Sequence, residues 1–174
     1  MSRSRRFALK ALGLYAMAAV VFLALGGGAP SNGPTVVAVD IHGFEYETLD
    51  GEATTLGAFA GQPLIINFFA STCVPCVQEM PDFEDLHQAY GTEVVVVGLA
   101  VEGARPARGI VAETGITYPT GLEGGKDFLI DLGGYGMPTT VFVSPDGTVL
   151  ESHTGILTPV ELRERLEGHF GIDT

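Results

Sequence analysis

The chain of 174 residues has only two cysteines, and they stand three positions apart in Phe68-Phe69-Ala70-Ser71-Thr72-Cys73-Val74-Pro75-Cys76. An apolar run over residues 64–70 leads into the pair and a helical pattern over 77–90 leads out of it. A strand that ends in Cys-x-x-Cys and opens a helix is a layout for thiol chemistry. A thiolate at Cys73 faces the unsatisfied N–H groups of a helix start, which stabilise negative charge. A thiol whose pKa is depressed in this way is the better nucleophile at neutral pH. Cys76, one turn further in, can close an intramolecular disulfide and release whatever Cys73 has attacked. Two other uses of the pair stand beside this one. Half of a zinc site would need further ligands, but His42, His87, His153 and His169 show neither His-x-His nor His-x(3–5)-His spacing. A purely structural disulfide across so short a loop stabilises little and tends to strain. The layout favours a redox-active pair over both.

The elements that must hold this pair are legible as hydrophobic pattern. Residues 64–69 are too continuously apolar for a half-exposed strand and fit the centre of a sheet covered on both faces. Residues 94–100 have the same character, so the intervening helix makes a βαβ unit. In that helix Val77, Met80, Phe83, Leu86 and Tyr90 recur at steps of three or four and form an inward stripe. Glu79, Glu84 and Asp85 fall mostly off the stripe, and Pro81 predicts a kink after the first turn. Ahead of the sheet, 36–41 is β-prone, 44–49 and 53–56 read as a hairpin around Asp50-Gly51, and 56–59 as a helical turn. Beyond it, 105–114 predicts a helix, 116–118 a short strand and 126–132 a short helix. Residues 139–143 predict a strand that turns at Ser144-Pro145-Asp146-Gly147 and returns antiparallel over 148–151. A last helix to about residue 167 opens on Thr158 as cap, Pro159 at the first position and Glu161 completing a capping box, with Leu157 and Leu162 as staple.

The front of the chain is different in kind. Arg3, Arg5, Arg6 and Lys10 precede an uncharged stretch that begins at Ala11, and Gly26-Gly27-Gly28-Ala29-Pro30-Ser31-Asn32-Gly33-Pro34 reads as a linker. Residues 1–34 thus read as an export signal or an uncleaved membrane anchor, the anchor being favoured, and 35–174 as one globular domain. The positive residues place the N-terminus in the cytoplasm and the domain outside. Ser4-Arg5-Arg6-Phe7-Ala8-Leu9-Lys10 also resembles a twin-arginine export signal. The domain carries five Lys and Arg against 21 Asp and Glu, a formal charge of −16. So acidic a surface lacks the clustered cations that nucleic acid binding needs.

Cys73-Val74-Pro75-Cys76, followed at a distance by Met137-Pro138-Thr139-Thr140 opening a strand, resembles the thioredoxin fold. More narrowly the chain is similar to the membrane-tethered extracytoplasmic thioredoxin-like proteins of the TlpA/ResA/CcmG type. That similarity rests on Cys-x-Pro-Cys-x-x-Glu-x-Pro (Cys73, Pro75, Cys76, Glu79 and Pro81), on Asn67 where cytoplasmic thioredoxins usually carry Asp, and on the front hairpin behind an anchored leader. It covers roughly residues 35–166. The fold it implies is α/β, a central mixed sheet flanked by helices with an added N-terminal hairpin. One departure is Thr72, where the family usually has Trp; this alters the partner-binding surface, whereas the thiol chemistry needs no indole.

The resemblance implies a role for each site residue. Cys73 is the attacking thiol and Cys76 the more buried resolving thiol. Pro75 holds the helix start. Pro138 follows a cis bond, which leaves the Met137 backbone to pair with an extended partner chain. Glu79 lies near the thiols and tunes their protonation, raising a thiol pKa when charged or relaying a proton when neutral; as plain pattern it is an ordinary surface Glu. Asn67, polar in an apolar strand, needs hydrogen-bond partners. The activity implied is a thiol–disulfide oxidoreductase with no cofactor beyond the Cys73–Cys76 disulfide and no metal. Its expected partners are client protein disulfides, apocytochrome c or a copper-site assembly protein among them, and a membrane electron donor of CcdA type. Reduction is favoured over oxidation. Two rival functions are copper delivery through the soft thiolates, against which stands the absence of a Cys-x-x-x-Cys spacing with a distal His, and a thiol peroxidase, whose Thr-x-x-Cys pattern would need Thr where Ala70 stands.

Overall fold

The computed structural model describes residues 39–174. The expected leader and anchor, with the first part of the β-prone 36–41 run, lie outside the described residues. A seven-stranded mixed sheet has the order β2-β1-β5-β4-β3-β6-β7. Its strands are β1 (Glu45–Thr48), β2 (Ala53–Thr55), β3 (Leu64–Phe69), β4 (Val95–Ala100), β5 (Thr120–Leu122), β6 (Thr139–Val143) and β7 (Val149–Thr154). The helices are α1 (Val74–Tyr90), α2 (Ala104–Thr114), α3 (Phe128–Asp131) and α4 (Pro159–Arg165), with a 3-10 turn at Leu56–Phe59 and a π-helical end at Leu166–Phe170.

β3 is the axis of the domain. All six of its residues are buried, which requires cover on both faces. It runs parallel to β4 and antiparallel to β6. On one face Ile65 and Phe69 join Met80, Phe83 and Leu86 of α1, Ala107 and Ile110 of α2, and Leu162 of α4. On the other, Leu64, Ile66 and Phe68 join Leu56, Tyr46 and Phe128. Burying so large an apolar set at roughly 25 cal/mol per Å2 is the dominant favourable term in the fold. The hairpin β1–β2 turns at Gly51, whose φ of 92° is open to glycine at no steric cost, and places Tyr46 beneath the sheet edge.

The observed elements depart from the pattern at β5, at Glu79 and ahead of β1. The short strand lies at Thr120–Leu122, and 116–118 is irregular. Ile116 and Tyr118 are buried by packing, whereas β5 is held by register with β4 and β1. Its centre, Gly121, is a weak strand former kept there because a Cβ would run into the Tyr46 ring. The active helix begins at Val74 with Cys73 as its N-cap, so that Cys76 lies in its first turn, as the layout of the pair implies. Pro81 lies inside this helix, in its second turn, and the carbonyl it fails to engage belongs to Val77. Glu79, expected off the inward stripe, is fully buried. Residues 39–41 form no strand. The capping box at Thr158 and Glu161 is formed as the sequence signals, after which the helix widens to its π-helical end.

Candidate active site

The site is built where β3 gives out. The Cys73 N–H donates to Ala70 O at 3.0 Å, turning the chain tightly out of the sheet. Cys73 is the N-cap of α1, and its sulfur accepts the Cys76 backbone N–H at 3.2 Å. One of the orphan donors of the helix start is therefore aimed at Sγ. Pro75 stands in the first turn, where a missing N–H costs nothing. The two cysteines are joined as a disulfide with Cα atoms 5.2 Å apart. Cys76 is fully buried and Cys73 half-buried, so only one sulfur is within reach of an incoming group. Thr72, just ahead of it, is exposed.

Behind the disulfide lies a buried polar cluster. Glu79, one turn beyond Cys76 on the same buried helix face, accepts from Asn67 Nδ2 at 2.8 Å and from the Leu157 backbone N–H at 3.2 Å. The Asn67 amide also donates to Thr140 Oγ1 at 3.3 Å. Asn67 thus finds partners for its NH2 group, while its Oδ1 has none among the described residues. Burial pushes the Glu79 carboxyl up to about 7; the hydrogen bonds from Leu157 and Asn67 pull it back, and the nearby Asp82 charge adds to the rise. It therefore titrates in the range where a proton donor and acceptor works at neutral pH.

A second carboxylate holds the loop in front of the disulfide. Glu102, two residues past the end of β4, accepts the Ser71 N–H at 2.6 Å and the Ser71 hydroxyl at 2.9 Å. The Met137–Pro138 bond is cis. Pro138 is buried and its carbonyl accepts the Gly155 N–H at 2.9 Å. Met137 is half-buried and packs against both cores. It also lines a groove of about 310 Å3 with Val101, Leu129, Ile130 and Tyr135. Tyr135 is 83% and Ile130 58% exposed, and Val74 beside Cys73 is 66% exposed. Among the described residues no group of three or more His, Cys, Asp or Glu is placed to hold a metal ion. His87 lies on α1, and His153 on β7 faces Glu151 at 4.0 Å, away from the disulfide's own strand and helix.

Residues 31–165 match the redoxin family. The chain belongs to that family. It is 30% identical over 127 residues to the thiol-disulfide oxidoreductase ResA of Halalkalibacterium halodurans, covering 71% of this chain and 72% of that one. It is 29% identical to the thioredoxin-like protein YneN of Bacillus subtilis over 71% of this chain and 75% of that one. Among solved structures, a thiol:disulfide interchange protein of the thioredoxin family from Chlorobium tepidum superposes with a TM-score of 0.63 at 25% identity, over 73% of this chain and 92% of that one. With the bridged Cys73–Cys76 pair at the start of α1, this redoxin-family chain is a thiol–disulfide oxidoreductase of thioredoxin-like fold.

Sequence pattern missed three contributors to this redoxin site. Glu102 follows directly on the apolar run of β4, and the carboxyl ends of neighbouring parallel strands converge; that position was the available signal. Thr140 is announced by register alone, since it sits directly opposite Asn67. The Leu157 N–H carries no side-chain signature.

Proposed function

We propose that this redoxin reduces the disulfides of client proteins on the extracytoplasmic side of a membrane, tethered by residues 1–34. One observation carries the mechanism: a half-buried sulfur at a helix N-cap has a fully buried partner, with a buried Glu one turn behind it. The helix-start N–H stabilises Cys73 as thiolate. That thiolate attacks one sulfur of a client disulfide; the client S–S bond breaks, and the leaving sulfur departs as a thiolate that takes a proton from water. Glu79, as carboxylate, accepts the Cys76 proton. The Cys76 thiolate then attacks Cys73 Sγ and expels the second client sulfur, which takes up a proton in turn. Two electrons have passed to the client and the Cys73–Cys76 disulfide has closed. A membrane thiol donor of CcdA type reopens it.

Exposed Val74 beside Cys73 and the apolar groove along Met137 support a protein client. Among the described residues neither the N–H nor the C=O of Met137 is bonded to another backbone group, which suits pairing with an extended client strand. Thr72 leaves more room ahead of Cys73 than an indole would. Apocytochrome c is the first client to test. Incubating reduced Cys76→Ser protein with an apocytochrome c peptide in its disulfide form should trap a covalent adduct through Cys73 that excess dithiol releases. No adduct, or a reduction potential of about −120 mV in place of about −270 mV, would defeat the reductive reading. Membrane fractionation of the full chain against a chain starting at residue 35 tests the tether.

A further inference from the structure

Tyr118 has no part in the chemistry above, yet its position is unusual. It is 2% exposed and its hydroxyl has no partner among the described residues. An unpaired buried hydroxyl costs about 1–3 kcal/mol, so its presence calls for a cause. The sheet makes room for this ring. Gly98 of β4 is the register partner of Asn67, and a Cβ at Gly98 would lie 3.1 Å from both Phe69 Cε1 and Tyr118 Cε2. Register partners in a parallel pair project to the same face. The Tyr118 ring therefore lies over β4 on the α1 side, beside Asn67, where the His87 ring of α1 meets it edge-on at 6.2 Å between centroids.

Burial, then Glu79, then Glu84 drive the phenol's proton affinity upward, so the hydroxyl stays protonated and can donate. Of these two carboxylates, Glu84 is already supplied by the Thr117 N–H at 2.6 Å, the Thr117 hydroxyl at 2.7 Å and Gln88 Nε2 at 2.7 Å. Glu79 has only the Asn67 and Leu157 donors, and Asn67 Oδ1 beside it is unpartnered. The groups that face this cluster are Asp82, Glu84 and His87 from α1, Asn67 from β3, Thr140 from β6 and the Leu157 N–H ahead of α4; no Lys or Arg charge bears on Glu79.

We propose that Tyr118 is a positioning residue for the buried acid: its hydroxyl donates to the Asn67–Glu79 pair when Glu79 is ionised, and so eases the release of the Glu79 proton. The inference rests on the proton role given to Glu79 above. Its test is the rate of reduction of a peptide disulfide by the full chain from about pH 5.5 to 9. Glu79→Gln removes the bend that belongs to Glu79. Tyr118→Phe, which deletes one oxygen, moves that bend up by about one pH unit, the size of a hydrogen bond to a charged group, and in the Glu79→Gln background changes nothing further. A bend unmoved by Tyr118→Phe, or an equal effect of Tyr118→Phe in both backgrounds, overturns the role of Tyr118 and leaves that of Glu79 standing. A pH profile left unchanged by Glu79→Gln overturns both. If Tyr118→Phe does not fold, 3-fluorotyrosine at position 118, a stronger donor of nearly the same shape, moves the bend down; no movement overturns the proposal.

Discussion

Glu79→Gln separates what the carboxyl does from what its shape does. In the native site the two carboxylate oxygens accept from Asn67 Nδ2 and from the Leu157 N–H. A glutamine can keep both contacts if the Asn67 amide turns over: its oxygen then accepts from Leu157 while its NH2 donates to the Asn67 oxygen, which lacks a partner in the native arrangement. Packing is preserved; the change at the Asn67–Thr140 contact is independent of pH, and the titration is lost. The folded carboxyl stands at about 7 against an ordinary 4.5. A folded state with the higher proton affinity is stabilised by protonation, so this contribution is full below about pH 4.5 and is lost as pH rises through 7. At 1.36 kcal/mol per unit, wild type should lose about 2–3 kcal/mol relative to Glu79→Gln between pH 5 and pH 8. The assay is urea unfolding of the oxidised protein at a series of pH values, read as the difference between the two proteins. Taking the difference cancels the histidines, which titrate in the same window. Parallel curves from pH 5 to 8 would refute the claim that the fold buries a carboxylate at this place.

Four further outcomes follow from the same geometry. Asn67→Ala removes a donor to Glu79 and to Thr140, so it should cost about 1–3 kcal/mol and raise the Glu79 titration above its native position, visible by carboxyl NMR. Glu102→Ala frees Ser71 from both its bonds; the Ser71 amide should lose hydrogen-exchange protection while the melting curve changes little. Gly98→Ala forces a methyl within 3.2 Å of Phe69, Tyr118 and Thr120, an overpacking of about 1–3 kcal/mol seen as a lowered urea midpoint. Thr158→Ala deletes the cap that accepts the Glu161 N–H at 3.3 Å, lowering the thermal midpoint by the equivalent of about 1 kcal/mol with disulfide exchange unchanged.

Most of the frame was readable because its signals are local. The apolar runs of β3 and β4, the stripe of α1, the Asp50-Gly51 turn and the box at Thr158 each lie within a few residues and obey one periodicity. The failures at β5, Tyr118 and Glu79 involve partners distant in sequence. β5 carries a glycine at its centre and exists because Tyr46, some seventy positions earlier, packs where a side chain would stand. The run 116–118 predicts a short strand, whereas the burial of Tyr118 is settled by the gap over Gly98.

Glu79 is the sharpest of these cases, and it shows why an inward acid evades helical pattern. Periodicity assigns a face by asking where the apolar residues recur, and a lone Glu between Cys76 and Phe83 is scored as a surface residue with its neighbours Glu84 and Asp85. The information that reverses the assignment lies in β3. Asn67 shares its face with Ile65 and Phe69, and both of those pack against α1. A fully buried amide on that face must find its hydrogen bonds in the neighbouring strand, where Thr140 takes one, and in the helix that covers it. α1 turns one polar side chain toward it, Glu79, at a place one turn from the resolving cysteine. The amide in the strand and the acid in the helix each look like an exception to the hydrophobic pattern alone; as a pair each is the reason the other can be buried, and their meeting point sets an ionisable group behind Cys76.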